Sequence, residues 1–139
     1  MQESGASPMV RDIAQHLIAY EAIGKHQSTT DGPAAFEVCE KLRRPLSTLA
    51  GTAGFRSLLV RALTLARREV SALDAVLVRD DGSLEEATFN AAGPGGALLI
   101  AQLLGLLMTF IGEALTMSLL HEIWPELLIA DLKSGKEIV

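Results

Sequence analysis

The chain has 139 residues, of which 49% are hydrophobic, 21% charged and 4% aromatic, and its formal net charge is −5. This length fits one domain rather than two, and the apolar content excludes disorder over most of the chain. The single cysteine excludes a disulfide-linked scaffold. Leucine and alanine supply most of the hydrophobicity, and both favour helices. We therefore expect one mostly α-helical domain over residues 1–139.

The first residues are small and polar, without the basic start and apolar run of a secretory signal. Together with the lone Cys39, this favours a reducing, cytoplasmic compartment. The protein is expected to be a bacterial type of interaction module. A nucleophilic cysteine would need a basic partner nearby. We expect Cys39 instead to be a small buried hydrophobic residue.

The first half of the chain predicts helices after a loose tail over residues 1–7. Ser7 and Pro8 are typical of an N-cap followed by the first helical residue. A polar loop follows the first helix, and Pro45 disfavours helical geometry at the residue before it. The predicted helical segments here are 8–23, 33–43, a short piece at 46–50, and 55–72.

The second half begins with a break in the helical pattern. The turn residues 80–83 lie between two short apolar stretches and predict a β-hairpin over 75–89. A Gly/Pro linker at 90–96 then precedes a helix over 97–123, and a loose tail ends the chain at 133–139. The expected fold is a single-domain bundle of about four helices, with the short hairpin near 75–89 as an additional element.

Charge is strongly segregated along the chain. Residues 41–79 hold eight basic and two acidic residues, a net charge of +6, whereas 1–40 carry −4 and 80–139 carry −7. The predicted anion- or partner-binding residues are Arg56, Arg61, Arg67 and Arg68. The alternative is a solvated face that acidic neighbours neutralise. Nucleic acid is not expected as a partner, because the chain is acidic overall and no aromatic residues interleave with the arginines.

Residues 97–112 contain no charged residue, and the apolar stretch reaches Leu120 if Glu113 is tolerated. A single chain of this size can barely surround such a helix, so a second copy is expected to cover it. Polar residues recur at seven-residue intervals beside small ones, a pattern that lets two helices approach and fixes their register. The predicted homodimer interface comprises Ala101, Gln102, Gly105, Thr109, Gly112, Glu113 and Thr116.

Two alternatives for this helix stay open. The polar stripe could pack inside the same chain. Residues 97–120 could also lie in a membrane, since a span needs about twenty apolar residues, although Glu113 would be costly there.

No complete catalytic, metal or nucleotide motif is present. The histidines His16, His26 and His121 form no metal-ligand spacing, and no serine has a nucleophile-elbow context. No cofactor or metal is therefore expected. An enzyme or ligand-binding domain with a pocket near Glu113 and His121 is the remaining alternative to an interaction module.

One short run is similar to the phospho-acceptor box of sensor histidine kinases. The residues that match its Leu-Arg-x-Pro-Leu core and the hydrophobic residue after it are Leu42, Arg43, Pro45, Leu46 and Leu49. Glu40 stands at the acceptor histidine position, so the resemblance implies a dimeric helical scaffold that cannot form a phosphohistidine. It covers about ten residues and is followed by no nucleotide-binding domain. The sequence thus favours a non-enzymatic module that self-associates through residues 97–123.

Overall fold

The computed structural model describes residues 7–24 and 32–127, which form six α-helices, one 3₁₀ turn and a single β-bridge. In chain order these are α1 (Pro8–Gly24), α2 (Gly32–Ala50), α3 (Thr52–Arg67), the 3₁₀ turn (Ser71–Ala75), α4 (Glu86–Ala91), α5 (Gly95–Ile111) and α6 (Glu113–Ile123). The mostly α class is confirmed, whereas about four helices are expected and six lie within the described residues. The predicted tail at 133–139 and most of the tail at 1–7 lie outside the described residues.

The start of α1 follows from its two first residues. Pro8 is the first helical residue, and the Val10 amide donates to the Ser7 hydroxyl at 3.5 Å. The Arg11 amide donates to the Ser7 carbonyl at 3.1 Å and begins the helical ladder. Ser7 therefore acts as the N-cap that the sequence predicts.

Helix α5 lies at the centre of the bundle and packs against α1, α2, α3 and α6. From Leu98 to Leu104 every residue is buried. The expectation that one chain can barely cover this helix is therefore wrong for its first half. Only the last residues of α5 come to the surface, where Thr109 and Phe110 are exposed.

The predicted helix over 97–123 is divided in two at Gly112. This residue has φ 92° and ψ 158°, a conformation that only glycine adopts readily. It is the single residue between α5 and α6. Gly51 has nearly the same conformation, φ 83° and ψ 157°, and it joins α2 to α3 in the same way. Within the described residues, no helix has both the length and the apolar character needed to cross a membrane.

The prediction of a β-hairpin over 75–89 is also wrong, except for the turn between its two expected strands. Val78 and Leu84 form one isolated antiparallel bridge, and the chain then enters α4 instead of a second strand. An isolated hairpin is marginal in water. In α4 the Phe89 ring is buried and lies against Phe36 of α2, with ring centroids 6.2 Å apart. Tertiary burial therefore decides the conformation of this segment.

Pro45 is expected to break or kink the helix, and the break is absent, because α2 continues through this proline to Ala50. Pro45 lacks the amide that would donate to the carbonyl four residues earlier. Leu42 and Leu46 on either side are fully buried in the common core. Their burial, roughly 1.5–3 kcal/mol for each side chain, offsets the one missing hydrogen bond.

Candidate functional site

The residues predicted to form a dimer interface do not lie on one surface. Three of them are buried within the chain's own core: Ala101, Gln102 and Thr116. The other four are half-buried or exposed: Gly105, Thr109, Gly112 and Glu113. The exposed part of the predicted interface is thus its stretch from Thr109 to Glu113, at the end of α5.

Both threonine hydroxyls of the predicted polar stripe are used within their own chain. Thr109 Oγ1 donates to the Gly105 carbonyl at 3.1 Å, and Thr116 Oγ1 donates to the Gly112 carbonyl at 2.8 Å. The Thr116 bond satisfies a carbonyl at the junction between α5 and α6. These hydroxyls therefore already donate within their own chain and need no acceptor on a second copy.

An apolar groove lies where the ends of α2 and α5 meet the start of α3. Its volume is about 420 Å³. It is lined by Leu46, Leu49, Ala50, Gly54, Leu58, Leu107, Phe110 and Ile111. Phe110 is 66% exposed and Leu49 is 51% exposed, although both are large hydrophobic residues. We call this surface the apolar groove.

Three of the four predicted arginines share a second groove along α3, of about 410 Å³. Arg56, Arg61 and Arg68 line it together with the side chains of Ser57, Val60, Thr64 and Leu65. Arg56 Nε donates to the Arg79 carbonyl at 3.1 Å, which orients its guanidinium group. Across the described part of the chain, no carboxylate pairs with these three arginines. We call this surface the arginine groove.

Arg67 has a different role, because its side chain turns towards the 3₁₀ turn. Its guanidinium group donates to the carbonyls of Leu73 at 3.1 Å, Asp74 at 3.4 Å and Val76 at 3.0 Å. It also lies 3.9 Å from the Asp74 carboxylate. Arg67 thus stabilises the connection between α3 and α4, and its contacts separate it from the neighbouring Arg68.

A polar groove of about 450 Å³ surrounds the segment that is similar to the histidine-kinase box. Its lining includes Glu40, Arg43 and Asp81. Arg43 contacts Glu40 at 2.8 Å and Asp81 at 3.7 Å. The hydrogen bond that Arg43 donates to Glu40 raises the pKa of Arg43, and hydrogen bonds from Ser83 lower the pKa of Asp81. Arg43 thus pairs with both carboxylates, and Glu40 stands in the place of an acceptor histidine.

A buried carboxylate joins the two ends of the fold, and sequence reasoning missed it. Glu21 of α1 is 3% exposed, and its Oε2 accepts from Trp124 Nε1 at 2.8 Å and from Lys41 Nζ at 2.6 Å. The available indication was spacing, since Glu21 lies four residues after Leu17 and so on the apolar face of α1. The contact fixes the chain after α6 against α1 and α2.

The remaining candidate groups are separated. Among residues 7–24 and 32–127, no cluster of three or more histidine, cysteine, aspartate or glutamate residues could hold a metal ion. Burial, and secondarily the charge of Glu40, raises the pKa of the Cys39 thiol from 9.0 to about 12. Glu113 and His121 are exposed and line none of the grooves described above, and His26 lies outside the described residues.

The chain matches no protein-family model, no curated protein and no solved structure. Its function is therefore argued from its own surfaces.

Proposed function

We propose that this protein is a non-enzymatic helical interaction module that self-associates through the apolar groove. The main support for this proposal is the exposure of Phe110, a large hydrophobic residue that lines that groove and is 66% exposed. Contiguous exposed apolar surface of this kind is typical of protein–protein contact sites. Buried aromatic anchors commonly supply most of the binding energy in such sites.

A second copy of the chain is the partner that fits this surface. The protruding Phe110 ring and the cavity of about 420 Å³ beside it belong to the same patch. A two-fold interface brings each patch against an identical one, so it needs a projection and a recess on the same surface. In such a dimer, Phe110 of each protomer would fill the apolar groove of the other.

This interface retains only part of the one predicted from the sequence. Thr109, Gly112 and Glu113 lie beside Phe110 at the end of α5, whereas Ala101, Gln102 and Thr116 stay in the core of each protomer. The free cysteine supports a reducing compartment, and we propose that the module works in the cytoplasm.

The test is the oligomeric state of the full chain across a concentration series, measured by sedimentation velocity or light scattering. Wild type is expected to show a dimer of 14.8 kDa chains, and Phe110→Ser is expected to be a monomer under the same conditions. Leu77→Ser is the matched control, because Leu77 is another large hydrophobic residue, 58% exposed, outside the apolar groove.

Both substitutions change an exposed side chain, so both variants should keep the helical circular dichroism spectrum of wild type. Two results would overturn the proposal. One is a wild-type chain that is monomeric at every concentration. The other is a Phe110→Ser variant that dimerises as strongly as wild type.

A further inference from the structure

The arginine groove stays positively charged although the chain as a whole is acidic. Its arginines are Arg56, Arg61 and Arg68, and none of them pairs with a carboxylate among the described residues. Arg61 and Arg68 are exposed. The helical rise separates the first of the three arginines from the last by about 18 Å. The formal net charge of the chain is −5, so this face is opposite in sign to the chain that carries it.

The lining of the arginine groove is also partly apolar. Val60 and Leu65 line it and are half-buried. Within the described part of the chain, neither side chain belongs to the hydrophobic core or packs against it, whereas Leu58 and Leu59 of the same helix do. The apolar surface of Val60 and Leu65 is therefore not used by the fold and is available to a molecule that occupies the groove.

We propose that the arginine groove binds an acidic segment of a partner protein, one in which carboxylates flank an apolar side chain. The carboxylates pair with Arg61 and Arg68, and the apolar side chain covers Val60 and Leu65. A guanidinium group presents its donors as a planar fork that matches a carboxylate, so each pair can be bidentate. The opposite charges select the partner, and removal of the apolar surface from water adds affinity.

Other polyanions fit this groove less well. Among the described residues, no aromatic side chain lines it, so it offers no platform on which nucleic-acid bases could stack. A nucleic acid or an anionic membrane carries extended negative charge, which the net charge of −5 on this chain repels at long range. Phosphate groups would also leave Val60 and Leu65 without an apolar contact. An acidic protein segment satisfies the arginines and the hydrophobic side chains together.

Anisotropy of fluorescently labelled peptides, titrated with the full chain at constant ionic strength, tests the proposal. A span of about 18 Å corresponds to about six residues of extended chain or twelve of helix, so a peptide of about twelve residues covers either case. The first peptide consists of glutamate with interspersed leucine. Glutamine replaces every glutamate in the second, and serine replaces every leucine in the third. Wild type should bind the first at least roughly tenfold more tightly than the others, because each of those lacks one half of the recognition.

Arginine variants locate the binding surface. Arg61→Gln and Arg68→Gln each remove one positive charge and should weaken binding of the first peptide a few-fold, and together roughly tenfold. Arg44→Gln is the matched control, because Arg44 is an exposed arginine that lies outside the arginine groove. It should bind the peptide like wild type. Arg56 is left unchanged, since its Nε also donates to the Arg79 carbonyl.

Leu65→Ser tests the apolar half of the site. It should weaken binding of the first peptide several-fold and leave binding of the serine-containing peptide unchanged. Circular dichroism checks that each variant keeps the helical spectrum of wild type. The comparison of the three peptides uses wild type alone, so it does not depend on the folding of any variant.

Several results would overturn the proposal. One is a wild-type chain that binds none of the peptides, or all three equally. Another is a variant with both Arg61→Gln and Arg68→Gln that binds the first peptide like wild type. A third is tighter binding of a single-stranded RNA oligonucleotide, or of vesicles containing phosphatidylglycerol, that the same double variant loses. That result would assign the arginines to the phosphate-bearing ligand instead.

This inference does not rest on the proposed self-association, because the arginine groove and the apolar groove share no lining residue. Phe110→Ser should therefore bind the first peptide like wild type. A chain that is always monomeric but binds the peptide would refute the proposed function and leave the arginine groove as its partner site. A chain that dimerises but binds no peptide would do the reverse.

Discussion

The break between α5 and α6 depends on one residue, and Gly112→Ala tests that dependence. Gly112 has φ 92° and ψ 158°. For a residue with a Cβ atom this conformation costs about 1–3 kcal/mol. A Cβ atom placed at Gly112 would meet no atom within 4 Å. The whole effect of the substitution should therefore be backbone strain, without a steric contribution.

The variant could avoid this strain by forming one continuous helix, which alanine favours over glycine by about 1 kcal/mol. That would undock the helix that follows. Met117, Leu120 and Trp124 are buried there, and exposing each would cost roughly 1.5–3 kcal/mol. Because undocking costs more than the strain, we expect α6 to stay docked. The free energy of unfolding should then fall by about 1–3 kcal/mol.

Urea unfolding followed by tryptophan fluorescence measures the free energy of unfolding and reports whether α6 stays docked. Both readouts depend on Trp124, which is the sole tryptophan and is buried against Glu21. Protein concentration must be held constant, since the proposed dimerisation would add to apparent stability. Ser118→Ala, an exposed change in the same helix, should stay within about 0.5 kcal/mol of wild type. A Gly112→Ala variant as stable as wild type would refute the strain argument. A red-shifted emission of the folded variant would mean that Trp124 is exposed and α6 undocked. It would refute the argument that undocking costs more than the backbone strain.

Three further outcomes follow from buried or clamped side chains. Glu21→Leu leaves the buried Trp124 N–H without its acceptor and should lower the free energy of unfolding in urea by about 1–3 kcal/mol. Lys41→Ala should lower it at least as much, because the Glu21 carboxylate, only 4% exposed, would stay buried without its cation. Arg67→Ala removes donors to three carbonyls. It should lower the free energy of unfolding by about 1–3 kcal/mol, seen as a lower melting temperature, whereas Arg68→Ala should have little effect. The pKa of the Cys39 thiol is about 12 in the folded chain and 9.0 when unfolded. The free energy of unfolding should therefore fall by about 2 kcal/mol between pH 8 and 10.5 through this group. This part of the pH dependence should vanish in Cys39→Ala.

Each of these expectations can fail on its own. Equal losses for Arg67→Ala and Arg68→Ala would show that the carbonyl contacts add no stability. A Glu21→Leu variant with wild-type stability would make the Trp124 bond unimportant. The sign of the cysteine effect follows from proton binding, since the folded state binds the thiol proton more tightly than the unfolded state does above pH 9. Identical pH dependence for wild type and Cys39→Ala would contradict it.

Local chemistry predicted several features correctly. Ser7 and Pro8 marked the start of α1 because capping and a fixed φ act within a few residues. The leucine and alanine content indicated the helical class, and Cys39 was expected to be buried, as it is.

Contacts between distant residues decided the rest. Arg67 and Arg68 are adjacent and chemically identical, yet only Arg67 meets the carbonyls of the 3₁₀ turn. Glu21 and Trp124 are far apart in the chain, so no local pattern pairs them. The candidate interface likewise assembles from the ends of α2 and α5 and the start of α3, and periodicity in residues 97–123 alone could not show it.

The sequence by itself determined that this chain is helical, where its first helix begins, and that its charge is divided into basic and acidic segments, because propensity, capping and composition act locally. Only the tertiary structure decided that the apolar helix is covered by its own chain and ends at Gly112. Helix periodicity does not distinguish a glycine that continues a helix from one that ends it. The packing of Trp124 and its neighbours against the core makes that choice, and it leaves Phe110 at the surface.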